Sequence, residues 1–307
     1  MPKQMRRSLW LTSVLVLVML FAAACGPAAT PTPTPSPAEA AVTVEAAVAE
    51  VEAAYALAAT AWEVDYFGPP EAPIPMLPDT RATVNFFWDR YAGFDGCNWF
   101  LGVYDANVEG EGDLRMYTPA RTMNFCDPAE LSEQASMFSS MLLNVTEYAQ
   151  EGEQLLANTV DNQRMLTFNP APVVPMPGTE WELKFWWSPD FEQWAPVLLG
   201  SMTTITFGTE GEASGTGGCN DYTVAYEGDL QIEKVMEATA TYAELPTLSF
   251  GPVTLEPTTC AEPEGIMDQE QGYFAQLGSI AYYFKLGGML LLVDAEGTPL
   301  LIFAARS

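Results

Sequence analysis

The sequence predicts a mainly β protein with a small helical share, built as two tandem domains that are each a curved antiparallel sheet closed by one helix. Three observations predict it. A block running from a tryptophan to a closing phenylalanine occurs twice, with Gly96, Cys97 and Asn98 inside one copy and Gly218, Cys219 and Asn220 inside the other. Alternating and β-branched runs dominate both copies, among them Ser201 to Phe207, Tyr222 to Tyr226, Ile280 to Phe284 and Met289 to Val293. One stretch of helical spacing follows the second cysteine of each copy. Self-similarity at about a domain length means tandem domains rather than a solenoid.

Taken in order, residues 1–24 carry Lys3, Arg6 and Arg7, an apolar run from Leu9 to Phe21, and then Ala22, Ala23 and Ala24 before Cys25. This is a secretory leader: it is too short for a spanning helix and small residues follow it at once. Small residues directly before Cys25, with Gly26 behind it, resemble a bacterial lipobox. That resemblance implies cleavage before Cys25 and diacylation of its sulfur, hence an extracytoplasmic protein held to a bacterial membrane by its lipid. Ordinary cleavage near Ala24 is the alternative, and it would leave an exposed free thiol.

Residues 25–40 alternate Pro31, Pro33, Pro35 and Pro37 with threonine, serine and alanine. They should form an extended tether of about 3.1 Å per residue. From 41 to 61 the composition shifts to alanine, glutamate and valine, with Val44, Val48, Val51 and Tyr55 at helical spacing, which predicts a helical stalk. The first repeat then spans 62–169, a proline-rich linker 170–178, and the second repeat 179–307. The stiff linker predicts two domains held apart but able to touch.

Within the repeats, Trp62, Glu63 and Val64 match Trp181, Glu182 and Leu183, and Thr83 to Phe86 match Thr204 to Phe207. A second cysteine follows each triplet, at Cys126 and Cys260. The helix after it presents Leu131, Gln134, Phe138 and Met141 in one copy, and Met267, Glu270, Phe274 and Leu277 in the other. Each copy ends on a strand, Met165 to Phe168 and Leu300 to Phe303, the latter after a turn at Asp294 to Gly297. Gly96 and Gly218 are expected at a tight bend, with Asn98 and Asn220 capping it through their side chains.

These landmarks resemble the META domain, also called HslJ-like: Trp-x-Leu, a strand before Gly-Cys-Asn, Thr-x-Met-x-x-Cys, a helix with spaced glutamate and phenylalanine, and a final Leu-x-Phe. Thr122, Met123 and Cys126 carry the match in the first copy, and Cys260, Met267, Glu270 and Phe274 in the second. The first copy departs by having Gln134 where glutamate is usual, and the second by Pro257, Thr258, Thr259 before Cys260. The longer second intercysteine segment, including Tyr242 to Pro252, leaves the strand register open there. The resemblance implies a small, partly open β-barrel with one helix. It also implies association with heat-shock or envelope stress and antibiotic tolerance in bacteria, and no defined enzymatic activity.

Charge and composition exclude several classes. Twelve Lys and Arg stand against 40 acids, a formal −28; losing Lys3, Arg6 and Arg7 with the leader brings this to −31. Such a surface repels phosphate backbones and anionic headgroups, which excludes nucleic-acid binding. The chain has no histidine, so His-based triads, HExxH zinc sites and a His general base are excluded. No metal site or cofactor is expected. The acidic turns Glu109 to Asp113 and Glu210 to Glu212 lack the alternating ligands of a calcium loop.

Assigning Cys25 to lipid leaves four cysteines, two per repeat. In an oxidising compartment Cys97 is expected to pair with Cys126 and Cys219 with Cys260, with a buried free pair as the competing reading. A catalytic thiol at Gly-Cys-Asn would find no histidine to activate it. Tryptophans supply the one candidate ligand site. Trp186, Trp187 and Trp194 crowd the start of the second repeat, and Trp88 and Trp99 flank the triplet of the first. At a barrel mouth they would line a lipocalin-like pocket for a small hydrophobic molecule; otherwise they are core and interdomain packing. The sequence therefore reads as a monomeric, non-enzymatic, lipid-anchored protein that serves envelope maintenance or stress tolerance through binding; the alternatives are a carrier of a small hydrophobic ligand and a protein-interaction or inhibitor module.

Overall fold

A computed structural model of the protein describes residues 57–107, 112–159, 163–189, 191–230 and 244–306. The leader, the tether with Cys25 and residues 41–56 of the expected stalk lie outside the described residues. The last residues of that stalk are not helical: Leu57 to Ala59 form a turn, and Thr60 and Ala61 already pair with Phe86 and Asn85. The Thr60 hydroxyl donates to the Leu57 carbonyl at 2.5 Å and ties the turn off locally.

In the first repeat the elements are β1 (Thr60–Phe67), β2 (Ile74–Pro75), β3 (Thr83–Phe87), β4 (Arg90–Phe94), β5 (Trp99–Ala106), β6 (Leu114–Arg121), α1 (Ala129–Asn144), β7 (Glu147–Glu151), β8 (Gln154–Asn158) and β9 (Arg164–Pro170). In the second they are β10 (Glu180–Ser188), β11 (Gln193–Pro196), β12 (Thr204–Phe207), β13 (Glu212–Thr216), β14 (Asp221–Gly228), β15 (Leu248–Phe250), β16 (Thr254–Leu255), α2 (Ile266–Leu277), β17 (Ile280–Leu286), β18 (Met289–Asp294) and β19 (Pro299–Ala305). The expected strand at Ser201 starts only at Thr204, because the Ser201 hydroxyl turns back on the Leu198 carbonyl at 2.7 Å.

Both sheets follow one antiparallel order. It is β6-β5-β4-β3-β1-β9-β8-β7 in the first repeat and β15-β14-β13-β12-β10-β19-β18-β17 in the second. The two edges of each order nearly meet and make a barrel. Leu114 N–H donates to the Thr146 carbonyl at 2.9 Å in one, and Tyr283 N–H to the Pro246 carbonyl at 3.1 Å in the other. Each barrel is filled by its own side chains. Trp62, Phe86, Phe100, Phe138 and Phe168 lie in the first core, and Trp181, Phe207, Tyr222, Tyr273 and Phe303 in the second.

The helix of each repeat buries one face, as its spacing requires. In α1 the buried residues are Gln134, Ala135, Phe138 and Leu142. In α2 they are Ile266, Gln269, Glu270, Tyr273, Gln276 and Leu277. Met267 and Phe274, expected on that face, are only half-buried.

The linker does not hold the repeats apart. Pro170 still pairs with Trp62 in β9, Met176 is buried, and its carbonyl accepts from Trp181 Nε1 at 3.1 Å. A third apolar cluster joins the repeats, with Phe87, Ala92 and Leu101 from the first and Phe185, Phe284, Met289, Leu291 and Ile302 from the second. β18 is therefore buried on both faces from Met289 to Val293, which is why its sequence reads Met-Leu-Leu-Leu-Val without alternation.

Candidate functional site

The Gly-Cys-Asn turns are built by the same backbone in both repeats. Asp95 N–H donates to the Asn98 carbonyl at 3.0 Å, and Gly217 N–H to the Asn220 carbonyl at 2.8 Å. Between them the chain passes through the left-handed region at Gly96 (φ 97°) and Gly218 (φ 118°), where a Cβ would be strained. The bend expected from the sequence is present.

Its capping differs from expectation. A carboxylate, not the asparagine, takes the turn's N–H groups. In the second repeat Glu270 Oε2 accepts from Cys219 N–H at 3.0 Å and Asn220 N–H at 2.7 Å, while Oε1 accepts from Asn220 Nδ2 at 2.6 Å. In the first, Asp95 Oδ1 accepts from Cys97 N–H at 2.9 Å and Asn98 N–H at 2.6 Å. Asp95 Oδ2 receives Arg121 and the Ser139 hydroxyl, the latter at 3.2 Å. The asparagines clamp the segment carrying the second cysteine: Asn98 Oδ1 accepts from Asn124 N–H at 2.6 Å, and Asn220 Oδ1 from Thr258 N–H at 2.7 Å.

The apparent substitution of Gln134 for a glutamate dissolves in the geometry. Gln134 Oε1 accepts from Leu77 N–H at 2.7 Å and its Nε2 donates to Thr80 Oγ1 at 3.0 Å. Gln269 does the same to Leu198 N–H at 2.7 Å and Ser201 Oγ at 3.0 Å. Gln134 thus corresponds to Gln269, and Glu270 corresponds to Ala135. The turn-holding carboxylate comes from the turn in one repeat and from the helix in the other.

Cys97 and Cys126 are at disulfide distance with Cα atoms 5.8 Å apart, and so are Cys219 and Cys260, also at 5.8 Å. Neither pair leaves its repeat.

Of the five tryptophans, Trp88, Trp99 and Trp194 pack against the shared apolar cluster, and Trp186 and Trp187 against the second core. Trp88 sits in the β3–β4 turn and packs on Phe284 of the other repeat, ring centroids 5.7 Å apart. Trp187 and Trp194 face each other across β10 and β11 at 5.9 Å. Trp186 packs half-buried against the second core. Consecutive aromatics on β10 point to opposite faces, which distributes them. Trp99 lines a cleft of about 510 Å³ where the two repeats meet, and the other four are not among the residues lining it.

This cleft was not foreseen from the sequence, because its walls come from segments far apart in the chain. Arg81, Phe94 and Gly96 join Trp99 from the first repeat, and Glu182, Lys184 and Arg306 come from the second. Trp99 stacks on Phe94 at 5.0 Å with 30° between planes, and Lys184 Nζ lies 5.6 Å over the Trp99 ring. Lys184 also pairs with Glu182 at 2.6 Å, and Arg306 with Glu180 at 2.8 Å. Burial lowers the Lys184 pKa from its ordinary value, and Glu182 offsets part of that shift.

The turn at Glu210 to Glu212 is a solvent-exposed hairpin bend, whereas Glu109 to Glu111 lie outside the described residues. Among the described residues, no three His, Cys, Asp or Glu side chains cluster to hold a metal ion, and no helix is long and apolar enough to cross a membrane.

Two solved structures are similar to parts of the chain. One is an NMR structure of a protein from Burkholderia xenovorans, 24% identical, covering 45% of this chain and 92% of its own, with a TM-score of 0.31. The other is a crystal structure of a DUF4847 family protein from Bacteroides vulgatus, 15% identical, covering 37% and 93%, with a TM-score of 0.27. No curated protein matches the chain. The META domain model matches it twice, over residues 55–172 and 174–307, in agreement with the duplicated turn and barrel. The chain belongs to the META domain family, of which it carries two copies in tandem.

Proposed function

We propose that this is a non-enzymatic, lipid-anchored extracytoplasmic protein whose two META domains act together as one binding body in envelope maintenance or stress tolerance. The observation that carries the non-enzymatic reading is the use made of both Gly-Cys-Asn turns. Asp95, Asn98, Glu270 and Asn220 engage backbone N–H groups and neighbouring side chains of their own domain, which favours struts over reactants. The lipobox-like residues before Cys25 and the two cysteine pairs support export and anchoring. Filled barrel interiors favour binding at the outer surface or the cleft over carriage of a hydrophobic molecule in a lumen.

The test is fractionation of a bacterium expressing the full chain with and without Cys25→Ala, combined with metabolic labelling by an alkyne fatty acid. The wild type should be labelled and sediment with membranes, and the variant should lose both properties. A wild type that stays unlabelled in the cytoplasm, or a variant that keeps the label, would sink the anchoring claim.

A further inference from the structure

We propose that the cleft between the repeats binds a small aromatic carboxylate. Its volume of about 510 Å³ suits a small molecule. Outside residues 1–24 the chain has nine lysines and arginines, and three of them, Arg81, Lys184 and Arg306, line this one cleft. On a chain of formal charge −28, this concentration of cations is where an anion meets less repulsion than elsewhere on the surface.

The lining selects the kind of anion. Lys184 and Arg306 are engaged with Glu180 and Glu182, whereas Arg81 forms no ion pair among the described residues. Its planar fork matches a carboxylate through two parallel hydrogen bonds. Asp79 and Glu182 also line the cleft and Glu180 holds Arg306 at its edge, so three acids offset three cations and Arg81 is the cation left without an ion-pair partner among the described residues. One such cation fits a monoanion and disfavours a doubly charged phosphate. The stacked pair of Phe94 and Trp99 offers a flat ring a surface to extend.

Divergence between the repeats points the same way. Thr80 corresponds to Ser201 by its bond to the helix glutamine, so the position of Arg81 is Met202 in the second repeat. The Asn98 and Asn220 turns likewise set Trp99 against Asp221. The first copy thus differs in type from the second at two residues that line the cleft.

This deepens the binding reading given above, but its test needs no anchoring, so failure of the cleft and failure of the anchor are separate results. The full chain in detergent micelles is titrated with 2-naphthoate by calorimetry, with protein-free micelles as the blank. Saturable binding of one molecule per chain is expected, weakened at least about tenfold by Arg81→Gln, as loss of a charge-assisted contact implies. The neutral 2-naphthamide and the non-aromatic cyclohexanecarboxylate should both bind at least about tenfold more weakly, while Arg164→Gln, away from the cleft, should bind as the wild type does. Absence of saturable binding, equal binding by Arg81→Gln, or equal binding of the amide would each overturn the proposal.

Discussion

A Cβ on Gly217 would stand 2.6 Å from Glu270 Oε2, so glycine at one position and glutamate at the other form a single choice. The first repeat makes the opposite choice, with Asp95 in the turn and the small Ala135 on the helix behind it. Both arrangements put one carboxylate under the same two backbone N–H groups.

That reciprocity predicts compensation. Asp95→Gly should cost about 3 kcal/mol, because the buried N–H groups of Cys97 and Asn98 lose their acceptor. Ala135→Glu alone should also destabilise, since it forces a second carboxylate against the buried Asp95. Together they recreate the second repeat's pattern, and the double variant should be more stable than Asp95→Gly by about 1 kcal/mol or more in urea denaturation. Additive losses would show that the two positions are not exchangeable.

The cysteine pairs predict a mass. Protein exported to an oxidising compartment should gain four hydrogens in mass on reduction, because the Cα atoms of each cysteine pair stand 5.8 Å apart, within disulfide reach. Reduction should then cost about 3 to 4 kcal/mol per pair in the chain-entropy model. A full-thiol mass in native mass spectrometry would remove the staples and reopen the question of a reactive cysteine.

Buried phenols predict an alkaline limit. Burial raises the pKa values of Tyr222 and Tyr273, whose hydroxyls meet at 2.6 Å, and pushes Tyr283 up to about 12. Each folded value lies above the unfolded value of about 10, so the unfolded chain loses protons first as pH rises. Stability from this source is complete below about pH 10 and falls from there through about pH 12. Tyrosinate absorbance should show a set of phenols that ionise only as circular dichroism reports unfolding. All tyrosines titrating near pH 10 in an intact fold would contradict it.

The third core predicts coupled repeats. Phe284→Ala should cost about 3 to 5 kcal/mol by leaving a cavity against Trp88 and Phe87. Hydrogen exchange should reveal lost protection in β4 of the first repeat as well as in β18 of the second. Loss confined to the second repeat would mean that the shared cluster does not couple them.

Much of this architecture was legible because it is written in local chemistry. Alternation gave the strands, and the Trp-to-Phe block with its Gly-Cys-Asn turn gave the duplication. The helix correspondence slipped by one residue, since α1 and α2 have apolar faces wide enough to accept either register. What fixes it is the contact of Gln134 and Gln269 with loops 57 and 71 residues earlier in the chain. The cleft was invisible for the same reason: Arg81, Trp99, Lys184 and Arg306 share no motif and meet only after both barrels close. The shared core did leave a trace in the unbroken apolar run of β18, which a sheet with one wet face would not need.

That run has a bearing on how such a protein can change over generations. A barrel whose outer wall is greasy cannot be traded for an unrelated copy of itself without exposing that wall to water or burying a charge against it. Neither repeat can be deleted or replaced alone without uncovering the other's side of the shared core, Phe87 and Leu101 in the first or Phe284, Leu291 and Ile302 in the second.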